Sequence, residues 1–330
     1  MGDSHKCLAV VIPVYRSEQS LPRVVAEVLT ALDSVIKELI LVVDGSPDDS
    51  ASICRELASQ EKRVKFISLR KNFGEHNAVL CGLNFVTAQY VAIMDDDAQH
   101  PPAEILKMLS EIQKGYDIVF GAYQKKEHHW FRNLGSFFAN SVATLFINKP
   151  KDLYLSSFKI IRAEVLADVV NYRGPFPYLD GLLLRVTNNF STCYVEHRKR
   201  ELGTSNYTLR KLVRLWLNMF LNFSALPLRV ILLLGVLCFS LGLCFSLIAV
   251  LEWFFSSKVP QGYTSVFISV LLLSGVQLVS LGVIGEYLGK LFLHYNGTPQ
   301  WIIKESSFGE SRAIHTKPDA GSRVSIDGAG

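Results

Sequence analysis

The sequence predicts an α/β fold with a mostly parallel sheet, followed by an interfacial amphipathic helix and two transmembrane helices. Three observations carry that prediction. Short continuous apolar runs alternate with helix-period segments from Leu8 to Phe120. Polar clusters sit at the carboxyl end of each run. Between Leu228 and Leu293, two apolar stretches each exceed the roughly 20 residues needed to cross a hydrocarbon core. Strands that are apolar throughout belong in a sheet covered on both faces, and such sheets bind ligands beyond the carboxyl ends of their strands.

In chain order the pattern reads as a strand over Leu8-Ala9-Val10-Val11-Ile12, a helix over Leu21 to Leu32, and a strand over Leu39-Ile40-Leu41-Val42-Val43. A helix over Ser50 to Ser59, a strand over Val64 to Leu69, a helix over His76 to Thr87, a strand ending at Met94 and a helix over Pro102 to Lys114 follow. The strand ends carry Pro13-Val14-Tyr15, Asp44-Gly45-Ser46-Pro47-Asp48-Asp49, Arg70-Lys71-Asn72-Phe73-Gly74 and Asp95-Asp96-Asp97. The last is the most informative, because three carboxylates crowd one strand end with no cation within several residues. Hard oxygen donors of this kind suit Mg²⁺ or Mn²⁺. A solvated acidic turn is the plain alternative, but two acidic turns and one basic turn facing a common crevice are more than turn statistics require. The chain has no Gly-x-Gly-x-x-Gly and no Walker lysine loop, so dinucleotide and P-loop readings lose their main support.

Of the 330 residues 49% are hydrophobic, and the excess is confined to the stretch after Leu228. The apolar runs Leu228 to Phe255 and Val266 to Leu288 are the expected spans. Trp253 and Tyr263 suit interfacial anchors between them. The net charge of +4 is too small to argue for a nucleic-acid partner. Basic residues instead collect before and at the start of the first span, at Arg198, Lys199, Arg200, Arg210, Lys211, Arg214 and Arg229, whereas the loop from Ser256 to Tyr263 holds only Lys258. By the positive-inside bias both chain ends face the cytoplasm. The same stretch suits anionic headgroups or a lipid phosphate, with topology alone as the alternative. The opening apolar stretch from Cys7 to Tyr15 is short and contains Pro13, so no secretory signal is expected. Six cysteines without Cys-x-x-Cys spacing argue against a zinc site or a disulfide framework.

Between Tyr207 and Phe223 the polar residues Arg210, Arg214, Asn218 and Asn222 recur every four positions, which predicts a helix lying in the membrane interface. The expected organisation is a soluble domain over 1–205, the amphipathic helix over 206–226, the two spans over 227–293 and a cytoplasmic segment over 294–330. That last segment is Ser-, Gly- and charge-rich and expected to be disordered after about 305.

Taken as a set, the strand-end turns extend further. Val11-Ile12-Pro13-Val14-Tyr15, Asp44-Gly45-Ser46, Asn72-Phe73-Gly74, Asp95-x-Asp97 with Gln99-His100-Pro101-Pro102, the stretch Arg200 to Thr208, and Leu281-Gly282-Val283-Ile284-Gly285-Glu286-Tyr287-Leu288-Gly289 occur in this order before and within two spans. In this the chain resembles the family 2 glycosyltransferases with a nucleotide-sugar-binding GT-A fold. Within them it is similar to the membrane-anchored polyprenyl-phosphate glycosyltransferases, which include bactoprenol glucosyltransferases, aminoarabinose-lipid transferases and dolichol-phosphate-mannose synthases.

The resemblance implies inverting transfer of a sugar from a nucleotide-diphosphate donor, with UDP as the first guess, to polyprenyl (undecaprenyl) phosphate. It implies Mg²⁺ or Mn²⁺ as cofactor, a multi-pass place in the inner (plasma) membrane with the catalytic domain cytoplasmic, and a product destined for cell-envelope polysaccharide or lipopolysaccharide. Pro13, Val14, Tyr15, Asp44, Lys71, Asp95 and Asp96 are the implied nucleotide-sugar contacts, and Asp95 and Asp97 the implied metal ligands. Arg200, Ser205, Tyr207 and Arg210 are the candidates for the lipid phosphate, since Arg grips phosphate in a fork and hydroxyls donate singly. The catalytic set is Asp97 with Asp180 or Asp152 as base. The choice stays open, because Asp152-Leu153-Tyr154-Leu155 replaces the Gly-Asp-Tyr/Phe-Gly stretch of several relatives. The chain also has Arg16-Ser17 where many relatives have Asn-Glu, and Asn206-Tyr207-Thr208 where they have Lys-Tyr-Ser. A base is less needed for this acceptor, as a phosphate monoester has a second pKa near ~6 and arrives largely ionised. Glu286 reads as a helix-end partner of Lys290, four residues on. A transferase acting on another lipid or a glycan, and a non-catalytic nucleotide-sugar-binding membrane scaffold, are the alternatives. A homo-oligomer is compatible with all three.

Overall fold

A computed structural model describes residues 6–123, 155–174, 177–196, 198, 262–296 and 299–308, with helical positions at 233, 235–237, 240, 244, 247 and 251. The chain forms two compact units, one of residues 1–144, 149–206 and 297–330 and the other of 145–148 and 207–296.

The first unit is built on a sheet. Strand β1 (Leu8–Val14) lies at its centre, with β2 (Ile36–Val43) and β3 (Val64–Leu69) stepping outward on one side, all parallel. The chain then returns to the other side of β1 with β4 (Tyr90–Ile93), again parallel. Beyond it β6 (Lys159–Arg162) runs antiparallel between β4 and β5 (Ile118–Tyr123), and β7 (Phe190–Val195) pairs parallel with β5. The reversal of direction around β1 is a topological switch point, where open α/β sheets leave a crevice at the strand ends.

The helices follow the apolar periods. Helices α1 (Leu21–Ala31), α2 (Ser50–Gln60) and α4 (Glu104–Ile112) cover the face that receives Leu8, Val10, Ile12 and Val14 of β1. Helices α3 (Glu75–Leu83), α5 (Ala163–Val169) and α6 (Leu179–Val186) cover the face that receives Ala9 and Val11. Successive residues of β1 thus point to opposite cores and Leu8 to Ile12 are fully buried, as expected of a continuously apolar strand. Each of the Leu, Val and Ile side chains so placed contributes about 1.5–3 kcal/mol of burial. Pro22 suits the first turn of α1, where its missing N–H goes unused. Gly82 lets α3 press on the sheet, because a Cβ there would stand 2.7 Å from Val11 Cγ1 and 2.9 Å from Val42 Cγ2.

The expected four strands and four helices up to Lys114 all form. The tail differs. Residues Ile303–Ser306 form β8, antiparallel to β3 at the sheet edge, so the onset of disorder expected at about 305 falls inside a strand. Its sequence Ile-Lys-Glu-Ser is too polar to announce a strand, which is how exposed edge strands commonly read. Glu305 is held by Arg55 of α2 through paired contacts of 2.8 and 2.7 Å. Gln300 donates to the Gly174 carbonyl at 2.6 Å, and Trp301 is buried.

In the second unit, α7 (Tyr263–Tyr295) is a 33-residue helix, about 50 Å long at 1.5 Å per residue. It contains the expected second span, and its Gly275–Leu293 segment is long and apolar enough to cross a membrane. It is the one such helix among the described residues. The expected first span, Leu228 to Phe255, falls outside them apart from single helical positions. The amphipathic helix expected over 206–226 also lies outside the described residues.

Candidate active site

The acidic turn follows β4 directly at the switch point, beside the end of β1. Its three carboxylates do not act as a block. Asp95 Oδ2 accepts from Ser157 Oγ at 2.8 Å, on the approach to β6. Asp96 turns the other way: its Oδ2 accepts the Tyr15 N–H at 3.0 Å and the Ser17 hydroxyl, while its backbone carbonyl accepts Ser20 Oγ at 2.8 Å. Asp97 Oδ1 accepts the Gln99 N–H at 3.1 Å, a local turn closed by the side chain. Desolvation first, and then the charges of Asp95 and Asp97, push Asp96 up to about 6 against the opposing bonds from Ser17 and Tyr15.

His100 supports this turn from below. Its ring, 3% exposed, stacks on Phe158 at 4.7 Å between centroids, and Nδ1 accepts the Asp95 N–H at 3.4 Å. An acceptor role for Nδ1 leaves the ring proton on Nε2, which meets Tyr123 Oη at 2.7 Å.

The second wall is formed by the turns after β2 and β3. Asp44 is 3% exposed and takes the backbone N–H groups of Phe73 and Gly74 at 2.7 and 2.8 Å, one on each oxygen. Burial raises its pKa and these two bonds oppose the rise. Gly45 must be glycine twice over: its φ is +58°, and a Cβ would stand 2.2 Å from the Lys71 carbonyl carbon. Lys71 lies exposed, its ammonium 5.0 Å from the centre of the Phe73 ring.

Beneath the acidic turn is a buried polar group that the sequence reading did not assemble. Lys159 opens β6, is 2% exposed, and forms an ion pair with Asp180 in the first turn of α6. The Lys159 ammonium also lies 5.6 Å from the centre of the Phe120 ring. His76 meets the Tyr178 ring edge-on at 5.2 Å, and burial lowers its pKa, favouring the neutral ring. Glu75 keeps contact with solvent, yet desolvation first and the Asp95 charge second push it up to about 7, with Lys159 opposing. A lysine inside the apolar run Phe158-Lys159-Ile160-Ile161 was the available signal for this group.

Of the residues singled out from sequence, the structure gathers Tyr15, Asp95, Asp96 and Asp97 at the end of the central strands and ties Asp44 to the Lys71 turn. Val14 is buried in the core and its carbonyl accepts the Asp44 N–H at 3.0 Å, and Pro13 precedes it within β1. Asp180 is present in the wall beneath. Asp152, Arg200, Ser205, Tyr207 and Arg210 lie outside the described residues. Among the described residues no three His, Cys, Asp or Glu side chains gather into a closed metal cage. Two carboxylates on one turn are the donor number Mg²⁺ takes from protein when substrate phosphates complete its shell, so Asp95 and Asp97 fit such a cation.

Residues 9–170 match the model of glycosyl transferase family 2, and residues 226–291 match that of the GtrB C-terminal hairpin. The undecaprenyl-phosphate 4-deoxy-4-formamido-L-arabinose transferase of Pectobacterium atrosepticum is 30% identical over 314 residues, covering 93% of this chain and 95% of its own. The protein of the same name from Edwardsiella ictaluri is 29% identical over 307 residues, covering 90% and 93%. Among solved structures, glucosyl-3-phosphoglycerate synthase from Mycobacterium tuberculosis in complex with phosphoglyceric acid is similar, with a TM-score of 0.50 at 16% identity over 66% of this chain and 79% of its own. This last likeness carries the α/β fold alone.

Proposed function

The chain belongs to glycosyl transferase family 2, and from that premise we propose that it transfers a sugar, with inversion, from a nucleotide-diphosphate donor to a polyprenyl phosphate. It is a glycosyltransferase. The observation that carries the finer reading is the placement of Asp95 and Asp97 at the switch point of the sheet, in a chain whose downstream part matches a C-terminal hairpin. The relatives that match over nearly the whole chain are named for transfer to undecaprenyl phosphate, which supports the same acceptor class here. We take UDP as the nucleotide and the cytoplasmic face as the site of reaction, because the basic residues before the first expected span favour that side.

In this reading the chain's residues divide the work. The turns after β1, β2 and β3 receive the nucleotide, with Tyr15 and Lys71 exposed at their rims and the buried Asp44 fastening the last two together. Asp95 and Asp97 would hold Mg²⁺ or Mn²⁺, which supplies charge stabilisation for the departing diphosphate. Lys71 adds a cation to the same end of the crevice. Arg200, Ser205, Tyr207 and Arg210 would receive the lipid phosphate. That phosphate is itself an oxyanion at neutral pH, with a second pKa near ~6. Asp180 is already paired with Lys159, which supports a reaction in which the acceptor brings its own ionised oxygen.

The test uses full-length protein in lipid nanodiscs with undecaprenyl phosphate, Mg²⁺ or Mn²⁺, and a panel of radiolabelled nucleotide sugars. Label should enter the organic-extractable lipid from at least one UDP-sugar and stop doing so in chelator. Transfer to a glycan or to water with none to lipid overturns the acceptor assignment. Binding without any turnover leaves the scaffold reading.

A further inference from the structure

We propose that Asp96 is a positioning residue. It latches the metal-binding turn after β4 to the loop after β1, so that metal and nucleotide are received by one rigid unit. The inference rests on the functional reading above for what that unit holds, but the latch is a property of the chain itself.

Asp96 lies between the two carboxylates assigned to the metal, and the sequence places it with them. The geometry sets it apart. Its side chain and its carbonyl together receive three donors from the segment Tyr15 to Ser20, some 76–81 residues away in sequence. The contacts are continuous with a wider polar net. Ser17 is 8% exposed and its N–H donates to Ser50 Oγ at 3.1 Å. Arg16 N–H donates to Ser46 Oγ at 2.8 Å, and Glu18 N–H to Asp48 Oδ2 at 3.2 Å. The latch thus also reaches the turn after β2, which carries Asp44.

Backbone conformation marks both sides of the joint. Among the described residues two non-glycine residues have left-handed backbones, Arg16 at φ 58° and Ala98 at φ 59°. One follows Tyr15 and the other follows Asp97. Such conformations persist where surrounding contacts over-determine them, and the bonds to Asp96 are contacts of that kind. Metal ligation through the same Oδ2 would compete with the Tyr15 N–H and the Ser17 hydroxyl, leaving a backbone donor to find another partner.

The experiment compares full-length wild type, Asp96→Ala, Asp96→Asn, Ser17→Ala, Asp97→Ala and the double variant Ser17→Ala/Asp96→Ala in nanodiscs. Hydrogen exchange of the segment Val14 to Ser20 and the affinity for UDP with and without Mg²⁺ are measured for each. In Asp96→Ala the segment should exchange at least about tenfold faster while β1 residues Val10 to Ile12 keep their protection, and UDP should bind at least about tenfold more weakly with or without metal, as the loss of the two charge-assisted bonds to Tyr15 and Ser17 implies. Asp96→Asn keeps an acceptor for Tyr15 and should recover most of both. Ser17→Ala should show part of the change and add less to Asp96→Ala than it costs alone, because the two share one contact while the Ser17 hydroxyl has a second acceptor in the Tyr15 carbonyl at 3.2 Å. Unchanged exchange in Asp96→Ala overturns the latch. So does loss of the Mg²⁺-dependent part of UDP affinity in Asp96→Ala to the extent seen in Asp97→Ala, which would make Asp96 a ligand. Should wild type bind no UDP while exchange changes as expected, the functional reading fails and the latch stands. If Asp96→Ala does not fold, Ser17→Ala carries the comparison: faster exchange of Val14 to Ser20 than in wild type supports the latch, and wild-type exchange overturns it.

Discussion

Lys159 and Asp180 form an ion pair beneath the acidic turn, with side chains 3% and 10% exposed. A pair so placed has little water to fall back on, and removal of one partner strands the other. Asp180→Asn should therefore cost about 3–5 kcal/mol of stability in a denaturation experiment, while replacing both residues by apolar ones of similar volume should cost far less. Those Asp180→Asn molecules that fold should retain kcat within about tenfold, since the acceptor phosphate arrives ionised. A loss of about 10²–10⁴ with UDP binding intact would instead make Asp180 the general base.

Asp44 joins two turns through two backbone donors, and an amide cannot accept both. Asp44→Asn turns an NH₂ group toward one of the N–H groups and should destabilise the domain by about 1–3 kcal/mol. Gly45→Ala tests the same junction by bulk, because its Cβ would meet the Lys71 and Asn72 backbones at 2.2 and 2.4 Å. Calorimetry should find UDP binding abolished in Gly45→Ala and weakened in Asp44→Asn. Normal binding in both would remove the junction from the nucleotide site.

The sequence made the first half of the sheet legible because β1 to β4 are buried on both faces, so that periodicity and turn chemistry agree. It was less informative past Phe120, where β6 reverses direction and carries Lys159 within an apolar run. The direction of a carboxylate is not written in a motif at all. Asp44 and Asp96 were grouped with ligand-binding acids by their strand ends, yet the oxygens of Asp44 and Oδ2 of Asp96 take backbone N–H groups of the protein itself. Ser17 and Ser157, which hold Asp96 and Asp95, are single hydroxyls whose role depends on residues 79 and 62 positions away. No local pattern announces them.

The return of the chain to the sheet edge at β8 gives a prediction about what holds that edge. Trp301 is 7% exposed and lies in the core face that contains α3 and α5, so Trp301→Ala should cost about 3–5 kcal/mol. The Arg55 to Glu305 pair is well formed but half in solvent, and Arg55→Ala should leave stability almost unchanged. Thermal or chemical denaturation of the two variants measures the contrast. Equal losses would mean that charge pairing fastens the strand as much as burial does.

Glu75 should make the metal-free protein sensitive to pH. Its folded pKa, pushed up to about 7 from the ordinary 4.5, means that between these values the folded state keeps a proton that the unfolded state has already released. Stability falls wherever the folded chain binds more protons than the unfolded one, so this group costs nothing below about 4.5 and progressively more as pH rises through about 7. Asp96, raised to about 6 from 3.8, gives a slope of the same sign at lower pH. His76 acts in the opposite sense, since its lowered pKa penalises the charged ring as pH falls. Comparison of Glu75→Gln with wild type isolates the carboxyl from both. The apparent Tm of wild type minus that of Glu75→Gln, measured in EDTA, should fall from pH 5 to about 7 and level off by pH 8. A difference that stays flat across that range would mean that Glu75 ionises as an ordinary surface carboxylate.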